Sequence, residues 1–256
     1  MIEYLEHHIV DHCNLKCGGC SHFSPIADEW FESIEDFTKD FTELAKKTEG
    51  KVGVIRLMGG EPLLHPKVED FLKITRNLFP NSQIQIVTNG LLIHKLGEIF
   101  KKVCNDYNIL VCVSNYGLNL DLREILNGFK LTRIDAKGEL YNISLNLSGN
   151  QDIQRAFLGC DLHVYHWFYF QYGRFYPCCI GANIKYFMKK FPNTRELTDD
   201  ELEQMSISIY DHSLDEVLDF LNKPVPLCRY CDTNLRQRSY HPFSISKGDI
   251  KEWICQ

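Results

Sequence analysis

The chain has 256 residues, of which 44% are hydrophobic and 24% charged, the balance of an ordinary globular protein. A net charge of −6 argues against a broad nucleic-acid-binding face, and no run approaches the roughly 18 apolar residues of a membrane span. The first residues, "MIEYLEHH", lack the pattern of a signal peptide. Because eleven cysteines without such a signal indicate bound metal rather than disulfides, we expect a cytoplasmic protein with neither membrane nor nucleic acid among its partners.

The first 150 residues alternate strand-like and helix-like segments. Strands are predicted at "EYLEHHIV", "KVGVIRLM", "SQIQIVT", "NILVCVS" and "LYNISLNL". Apolar residues at spacings of three and four, with Ser33 as N-cap, predict a helix over 33–48, and further helices are predicted over 67–79, 93–104 and 120–129. Repeated strand–helix units predict a parallel sheet, open or closed into a barrel, with ligands at the carboxyl ends of its strands.

From about residue 150 the alternation fades and cysteines become frequent. The aromatic segment "HVYHWFYFQYGRFYPCC" predicts a β-hairpin that turns near Gly173, and "TDDELEQM" and "SLDEVLDFLN" predict helices. We therefore divide the chain into a strand–helix domain over 1–150 and a cysteine-rich region over 151–256.

Cys13, Cys17 and Cys20 follow the first predicted strand with the spacing C-x3-C-x2-C. Three thiolates on a short loop can hold three irons of a 4Fe–4S cubane and leave the fourth iron open to a small molecule. A structural zinc ion, which needs four ligands, is the main alternative, with His12 or His22 as the fourth. Unrelated core cysteines are the remaining alternative.

This spacing resembles the signature of the radical S-adenosylmethionine (SAM) enzymes. The resemblance implies an α/β fold, a partial (β/α)6 TIM-like barrel, with SAM bound to a 4Fe–4S cluster on the three cysteines. "LMGGEP" and "VTNG" end the second and third predicted strands, as similar motifs do in that family. The glycines would let the backbone approach SAM, and the glutamate would accept from its ammonium. The expected SAM-binding residues are Gly59, Gly60, Glu61, Pro62, Thr88, Ser114 and Asn115; for those that end the third and fourth strands, ordinary turn residues are the alternative.

One position departs from the family pattern. The residue before the third cysteine is often aromatic in the family, where it flanks the adenine, and here it is Gly19. Phe23 is either a substitute for that aromatic residue or a packing residue.

The later cysteines resemble the auxiliary-cluster region called SPASM, in the shortened form called a twitch domain. The resemblance implies a second 4Fe–4S cluster, with a four-cysteine zinc site as the alternative; the ligands would be Cys160, Cys178, Cys228 and Cys231. Cys179 is expected to point away from this cluster, and Cys255 is a spare thiol or a substitute ligand. Cys104 and Cys112 are expected in the core.

In layout the chain looks most like the 2-deoxy-scyllo-inosamine dehydrogenases of this family. We therefore expect a radical SAM oxidoreductase that oxidises a hydroxylated small molecule, such as a sugar or cyclitol derivative, with the auxiliary cluster as electron acceptor. No G-x-G-x-x-G follows any strand, so a dinucleotide fold is not expected. The partners expected are the substrate and an electron donor such as flavodoxin or ferredoxin.

Two alternatives stay open. One is a maturase that cross-links or epimerises a ribosomally made peptide; the first strand begins at residue 2, so no peptide-binding module is expected before it, which favours the small molecule. The other is a zinc-binding interaction module. The candidates for the proton acceptor are Arg155, His163, His166 and Tyr116, with packing as the alternative for both histidines. The basic group at 236–239 would hold a phosphate, or is simply surface.

Overall fold

A computed structural model describes residues 1–136, 139–141, 145–192, 194, 197–234, 238–240 and 243–255, with the backbone alone for 139–141 and 238–240. The first half alternates strands and helices: β1 Ile2–Val10, α1 Ile34–Thr48, β2 Val52–Gly59, α2 Val68–Leu78, β3 Gln83–Thr88, α3 Ile93–Asp106, β4 Leu110–Val113, α4 Leu122–Ile125 and β5 Thr132–Ile134. The second half contains β6 Glu139–Tyr141, α5 Ile153–Leu158, α6 Asp161–Val164, β7 Phe168–Gln171, β8 Arg174–Tyr176, α7 Cys179–Lys190, α8 Asp199–Glu203, β9 Ile207–Ser208, α9 Leu214–Leu221 and β10 Arg238–Tyr240.

Eight strands form one open sheet in the order β5-β4-β3-β2-β1-β7-β8-β9. Strands β1 to β5 are parallel neighbours, and β7 adds a sixth parallel strand on the other side of β1. The predicted α/β class is therefore confirmed, and the sheet is not closed. The predicted hairpin is also present, as β7 and β8 turning at Gly173. Because β7 pairs with β1, the sheet crosses the predicted domain boundary at residue 150, and that boundary stays a prediction.

Helix α1 illustrates how the sequence sets these elements. Ser33 caps it as predicted, accepting a hydrogen bond from the backbone N–H of Asp36 at 3.0 Å. The apolar stripe of α1 places Phe37, Phe41 and Leu44 in the core, where they meet one face of β1. Alternate residues of β1 point to the opposite face, and the candidate site lies there.

Several elements differ from the prediction. The strand expected over 140–147 is short: β6 ends at Tyr141 and pairs antiparallel with β10 in a separate two-stranded sheet, while residues 142–144 lie outside the described part of the chain. The fifth parallel strand is instead β5, which is exposed and has no apolar alternation to reveal it. Helix α7 begins directly after Cys178 and was missed, because the aromatic pattern before it favours a strand.

A candidate radical SAM site at the end of the first strand

The cysteine loop, residues 11–23, follows β1 and carries Cys13, Cys17 and Cys20. It is held by a segment far away in sequence, residues 243–255. The backbone N–H of Gly18 donates to the carbonyl oxygen of Ser244 at 2.9 Å, and the N–H of Ser246 donates to the carbonyl of Lys16 at 2.8 Å. The indole N–H of the fully buried Trp253 donates to the carbonyl of Cys20 at 2.9 Å. These bonds tie the loop to this later segment at three points, Lys16, Gly18 and Cys20.

The glycines of "GGEP" hold the other side of the loop. Gly60 N–H donates to the Val10 carbonyl at 2.8 Å, and Glu61 N–H donates to the His12 carbonyl at 3.1 Å. A Cβ at Gly60 would lie 2.2 Å from the His12 carbonyl oxygen, so only glycine fits there. The close approach predicted for these glycines is therefore made to the backbone of the cysteine loop.

Glu61 is fully buried. Its carboxylate accepts hydrogen bonds from the Leu63 N–H (3.0 Å), the Thr88 hydroxyl (2.7 Å) and the Asn89 N–H (2.8 Å). Burial raises its pKa to about 7 despite these donors. Glu61 thus ties the end of β3 to the turn after β2, and its predicted hydrogen bond to the SAM ammonium stays a prediction.

A cavity of about 270 Å³ opens beside the loop. The predicted residues among those that line it are Cys13, Cys17, Cys20, Gly59, Gly60, Thr88, Ser114 and Tyr116. The side chain of Asn89 lies nearby, donating to Asn14 Oδ1 at 2.7 Å with its nitrogen 3.8 Å from Cys13 Sγ. Backbone, hydroxyl and amide groups thus border the three sulfurs, the kind of lining that fits a polar cofactor.

Other predicted site residues lie elsewhere. Glu61, Pro62 and Asn115 are not among the described residues that line this cavity, and neither are Arg155, His163 and His166. Arg155 is exposed on α5; His163 packs on the ring of Phe157 with centroids 3.8 Å apart; His166 lies 4.0 Å from Glu3. Of the four candidate proton acceptors, Tyr116 is the one at the cavity.

Two further predictions concern residues near the loop and in the C-terminal region. Phe23 has no exposed surface and packs against Phe187 and Trp253, with ring centroids 5.6 Å and 6.1 Å away. It is a packing residue. The basic group at 236–239 lies outside the residues whose side chains are described.

The three thiols are electrostatically suited to a metal. Burial raises the pKa of Cys13 to about 12. Burial and then the neighbouring Cys20 and Cys13 raise the pKa of Cys17. Three thiolates this close would repel one another without a cation between them, so their deprotonation is coupled to metal binding.

The spacing of the sulfurs discriminates between the metals considered. A single zinc ion binds sulfur at about 2.3 Å and keeps its sulfur ligands within about 4 Å of one another. Among the described side chains, neither cysteine set brings three ligand atoms within 4.8 Å of one another. In a cubane each cysteine binds a different iron, so wider spacing is expected. Neither set thus has the close spacing of a single-ion site among the described side chains, and the auxiliary cluster stays a prediction.

The second cysteine set comes together from three segments. Cys160 precedes α6, Cys178 caps α7 by accepting from the Gly181 N–H at 3.4 Å, and Cys228 and Cys231 lie in the turn after Pro226. Burial raises the pKa of the Cys228 thiol, and Cys231, Cys178 and Cys160 raise it further. The four predicted auxiliary ligands are thus neighbours. Cys104 and Cys112, at 1% and 0% exposure, are core residues as expected.

Several residues that line the cavity were not predicted: Glu6, Arg56, Leu162 and Trp167. His22, considered only as an alternative zinc ligand, and Cys179, expected to point away from the auxiliary set, line it too. Glu6 and Arg56 stand opposite each other in the β1–β2 register, and Arg56 Nη1 donates to Glu6 Oε1 at 3.3 Å. For Glu6 a signal was present in the sequence. Glu6 and His8 are polar residues two positions apart in β1, between the apolar Leu5 and Ile9, which indicates a polar face of the strand.

Behind the cavity wall, Asp11, His8 and His22 form a hydrogen-bonded chain. His8 Nδ1 lies 2.9 Å from Asp11 Oδ1, and His8 Nε2 lies 2.7 Å from His22 Nδ1. The Tyr186 hydroxyl donates to the other oxygen of Asp11. Burial would raise the pKa of Asp11, but the hydrogen bonds from His8 and Tyr186 hold it below its usual value. Asp11 is therefore ionised, and burial lowers the pKa of His8, which is neutral.

Comparison with known proteins places this site in a class. The sequence-family model named Radical SAM superfamily matches residues 8–129, which include the cysteine loop, "GGEP" and the end of β3. Residues 8–129 therefore match a radical SAM domain. The residues around the first cysteine set fit the 4Fe–4S cluster and SAM that this superfamily uses.

Sequence matches to individual proteins cover only part of the chain. GTP 3',8-cyclase of Alkaliphilus oremlandii is 29% identical over 135 residues, 52% of this chain and 41% of that protein. GTP 3',8-cyclase of Alkaliphilus metalliredigens is 32% identical over 100 residues, 39% of this chain and 31% of that protein. The chain thus spans well under half the length of these relatives.

Solved structures extend the likeness to the whole fold. BtrN in complex with AdoMet and 2-DOIA has a TM-score of 0.53 at 15% identity, covering 94% of this chain and 97% of that one. The enzyme anSMEcpe with bound AdoMet has a TM-score of 0.50 at 14% identity, covering 98% and 92%. At these identities the likeness shows the fold alone. Within the described residues, every helix is too short or too polar to cross a membrane.

Proposed function

We propose that this radical SAM enzyme is an oxidoreductase that oxidises a hydroxylated small molecule, such as a sugar or cyclitol derivative. In this proposal Cys13, Cys17 and Cys20 hold the SAM cluster, and Cys160, Cys178, Cys228 and Cys231 hold an auxiliary 4Fe–4S cluster. When bound, these groups supply a 5′-deoxyadenosyl radical for hydrogen abstraction and a one-electron acceptor for the substrate radical. An external donor such as flavodoxin or ferredoxin supplies the first electron.

The chain's own residues would hold and shield these groups. Gly59 and Gly60 line the cavity and let their strand approach the cysteine loop closely. Ser114 and Tyr116 offer hydroxyl groups to the polar parts of SAM. On the other side of the cavity, Glu6 and Arg56 can orient substrate hydroxyls, since a carboxylate accepts and a guanidinium donates. Glu6 is then well placed to accept the hydroxyl proton when the alcohol becomes a ketone.

The adjacency of Cys178 and Cys179 carries the proposal. Cys178 belongs to the auxiliary set, whereas Cys179, the next residue, lines the cavity beside the first cysteine set. One residue of backbone thus separates the auxiliary thiols from the wall where a substrate would react. This short separation supports a direct transfer of one electron from substrate to auxiliary cluster, the step that distinguishes oxidation from a redox-neutral rearrangement.

The charges of the cavity support a substrate without several phosphates. Arg56 is the basic side chain among the described residues that line it, apart from His22, and it is already paired with Glu6. A nucleoside triphosphate would bring three or four negative charges with no further cation in this lining to meet them. A neutral polyol meets no such penalty.

Iron content and products test the proposal. After anaerobic reconstitution with iron and sulfide, we expect about eight irons per chain and release of 5′-deoxyadenosine from SAM under a reductant. The double variant Cys228→Ser/Cys231→Ser should keep about four irons and still cleave SAM, whereas the core variant Cys112→Ser should keep about eight.

A panel of deuterated cyclitols and monosaccharides identifies the substrate. For at least one member of the panel, we expect deuterium transfer into 5′-deoxyadenosine. We also expect one molecule of ketone product for each molecule of 5′-deoxyadenosine. About four irons in the unmodified protein would remove the auxiliary cluster, and turnover of GTP or of a peptide instead of a polyol would refute the substrate class.

A further inference from the structure

Glu6, His22 and Cys179 converge on one point of the cavity wall. They come from β1, from the cysteine loop and from the first turn of α7. One ligand atom from each lies within 4.8 Å of the other two, and among the described residues this is the one set of three potential ligands so close together. Glu6 is 6% exposed and Cys179 is 4% exposed. None of the three belongs to either proposed iron–sulfur cluster.

The hydrogen-bonded chain behind His22 determines which ring nitrogen of His22 keeps a lone pair. The Asp11 carboxylate accepts the proton of His8 Nδ1, so His8 Nε2 is an acceptor. His22 Nδ1 must then donate to His8 Nε2 at 2.7 Å. The proton of His22 is therefore on Nδ1, and Nε2 keeps its lone pair. A histidine that ligates zinc usually donates its other ring N–H to a carboxylate, a carbonyl or water; here the acceptor is the His8 imidazole, which Asp11 holds.

The Glu6 carboxylate is also held by a hydrogen bond. Arg56 Nη1 donates to Glu6 Oε1 at 3.3 Å, which leaves Oε2 as the oxygen without that partner. The same nitrogen of Arg56 also donates to the Tyr4 hydroxyl, so Arg56 connects Tyr4 and Glu6. Arg56 thus holds one oxygen of the carboxylate, Tyr4 also hydrogen-bonds this carboxyl group, and a cation would bind at the oxygen that Arg56 leaves.

From this arrangement we propose a third metal site, in which Glu6, His22 and Cys179 bind one divalent transition-metal ion of the zinc class. Carboxylate, imidazole and thiolate ligands together are typical of zinc. Three protein ligands leave a fourth position open, as in catalytic rather than structural zinc sites. Because all three residues line the cavity, the open position faces it and would take an oxygen of a bound ligand, a hydroxyl or a carboxylate.

The charges balance around such an ion. One thiolate and one carboxylate offset its two positive charges, and the Arg56 guanidinium stays on the far oxygen of Glu6. The site goes beyond the oxidation proposed above, because it needs neither cluster for binding. It also predicts that a substrate is held through one of its oxygens rather than by hydrogen bonds alone.

Zinc stoichiometry and zinc X-ray absorption test the site. The full-length protein is reconstituted with iron and sulfide, incubated with zinc and passed over a desalting column. We expect about one zinc per chain in addition to about eight irons. The absorption fine structure should contain one sulfur at about 2.3 Å and nitrogen or oxygen ligands at about 2.0–2.2 Å.

Variants assign the ligands. Cys179→Ser, His22→Ala and Glu6→Gln should each lower zinc affinity at least about tenfold, while iron per chain stays at about eight. Cys112→Ser and His94→Ala, which change a core thiol and a histidine outside the described lining of the cavity, should bind zinc as the unmodified protein does.

The outcomes separate this site from the proposed function. Absence of retained zinc, or equal zinc affinity in Cys179→Ser, would overturn the site and leave the iron content and 5′-deoxyadenosine release untouched. Four sulfurs around zinc would overturn it as well, because that signature belongs to an incompletely filled cluster site. If Glu6→Gln is the one variant that keeps its fold, its zinc affinity tests the site, because this substitution preserves the shape of the side chain and removes one charge.

Discussion

Gly60 offers the sharpest test of how the cysteine loop is held. Replacing it with alanine places a Cβ 2.2 Å from the carbonyl oxygen of His12 and 2.4 Å from its carbonyl carbon. Ordinary contact begins near 3.4 Å, so the loop must withdraw by about 1.2 Å (3.4 − 2.2). Both atoms belong to the backbone, and no side-chain rotation can relieve the clash.

The cost follows from the two hydrogen bonds that cross this contact. A withdrawal of about 1.2 Å lengthens the Glu61 N–H bond to His12 from 3.1 Å to about 4.3 Å, beyond hydrogen-bonding distance. The bond from Gly60 to Val10 lies beside it and is strained by the same movement. Two buried backbone groups left without partners cost about 2–5 kcal/mol, a large part of the roughly 5–15 kcal/mol that stabilises a domain.

Gly97→Ala is the matched control. Gly97 interrupts α3 with a φ of 64°, and a Cβ there meets no atom within 4 Å. Its cost is that of a backbone conformation essentially restricted to glycine, about 1–3 kcal/mol. We expect Gly60→Ala to lose about 2–5 kcal/mol in urea unfolding of the metal-free protein and to keep only about four irons after reconstitution, and Gly97→Ala to keep about eight. Equal stability and equal iron in the two variants would refute the reasoning.

Three further predictions test other parts of the molecule. Ser33→Ala should lower the free energy of unfolding by about 1 kcal/mol in urea titrations, because it removes the cap of α1; no change would mean that the cap is replaced. Burial raises the pKa of Glu61 from 4.5 to about 7, so the folded state binds this proton more tightly, and the stability it contributes falls as pH rises from about 4.5 to about 7, by up to about 3 kcal/mol. The unfolding free energy of Glu61→Gln relative to the unmodified protein should therefore rise by that amount between about pH 4.5 and pH 8, and a constant difference would contradict it. Phe23→Leu should cost about 1–2 kcal/mol in unfolding without changing SAM affinity in calorimetry, whereas weaker SAM binding would place Phe23 beside the adenine.

The fold was predictable where one signal dominated. In α1 the apolar spacing, the acidic first turn and Ser33 all agree, and the helix begins and ends within a residue of its prediction. Strand β5 had no such signal, because its three residues are exposed and its only support is pairing with β4. Helix α7 was missed because a β-hairpin signal runs directly into its first residue.

The site was predictable where chemistry restricts residue type. Cysteine spacing identified two sets of thiols, and the structure brings each set together. Glu6 and Arg56 were missed because a single polar residue in a strand has no meaning until the face and register of the strand are known. Cys179 was expected to face away from the auxiliary set, but no local pattern connects it with Glu6, more than 170 positions earlier in the chain.

Residues 243–255, the segment that holds the cysteine loop, have a consequence for biosynthesis. A ribosome makes Cys13, Cys17 and Cys20 more than 220 residues before it makes Ser244 and Trp253, yet those late residues supply the bonds that shape the cysteine loop. During translation the cysteine loop therefore lacks these hydrogen-bond partners until the ribosome has also made the auxiliary cysteines. Iron delivery to the first cluster is expected to follow synthesis of residues 243–255, and cleavage within that segment should disturb maturation of a cluster site more than 220 positions earlier.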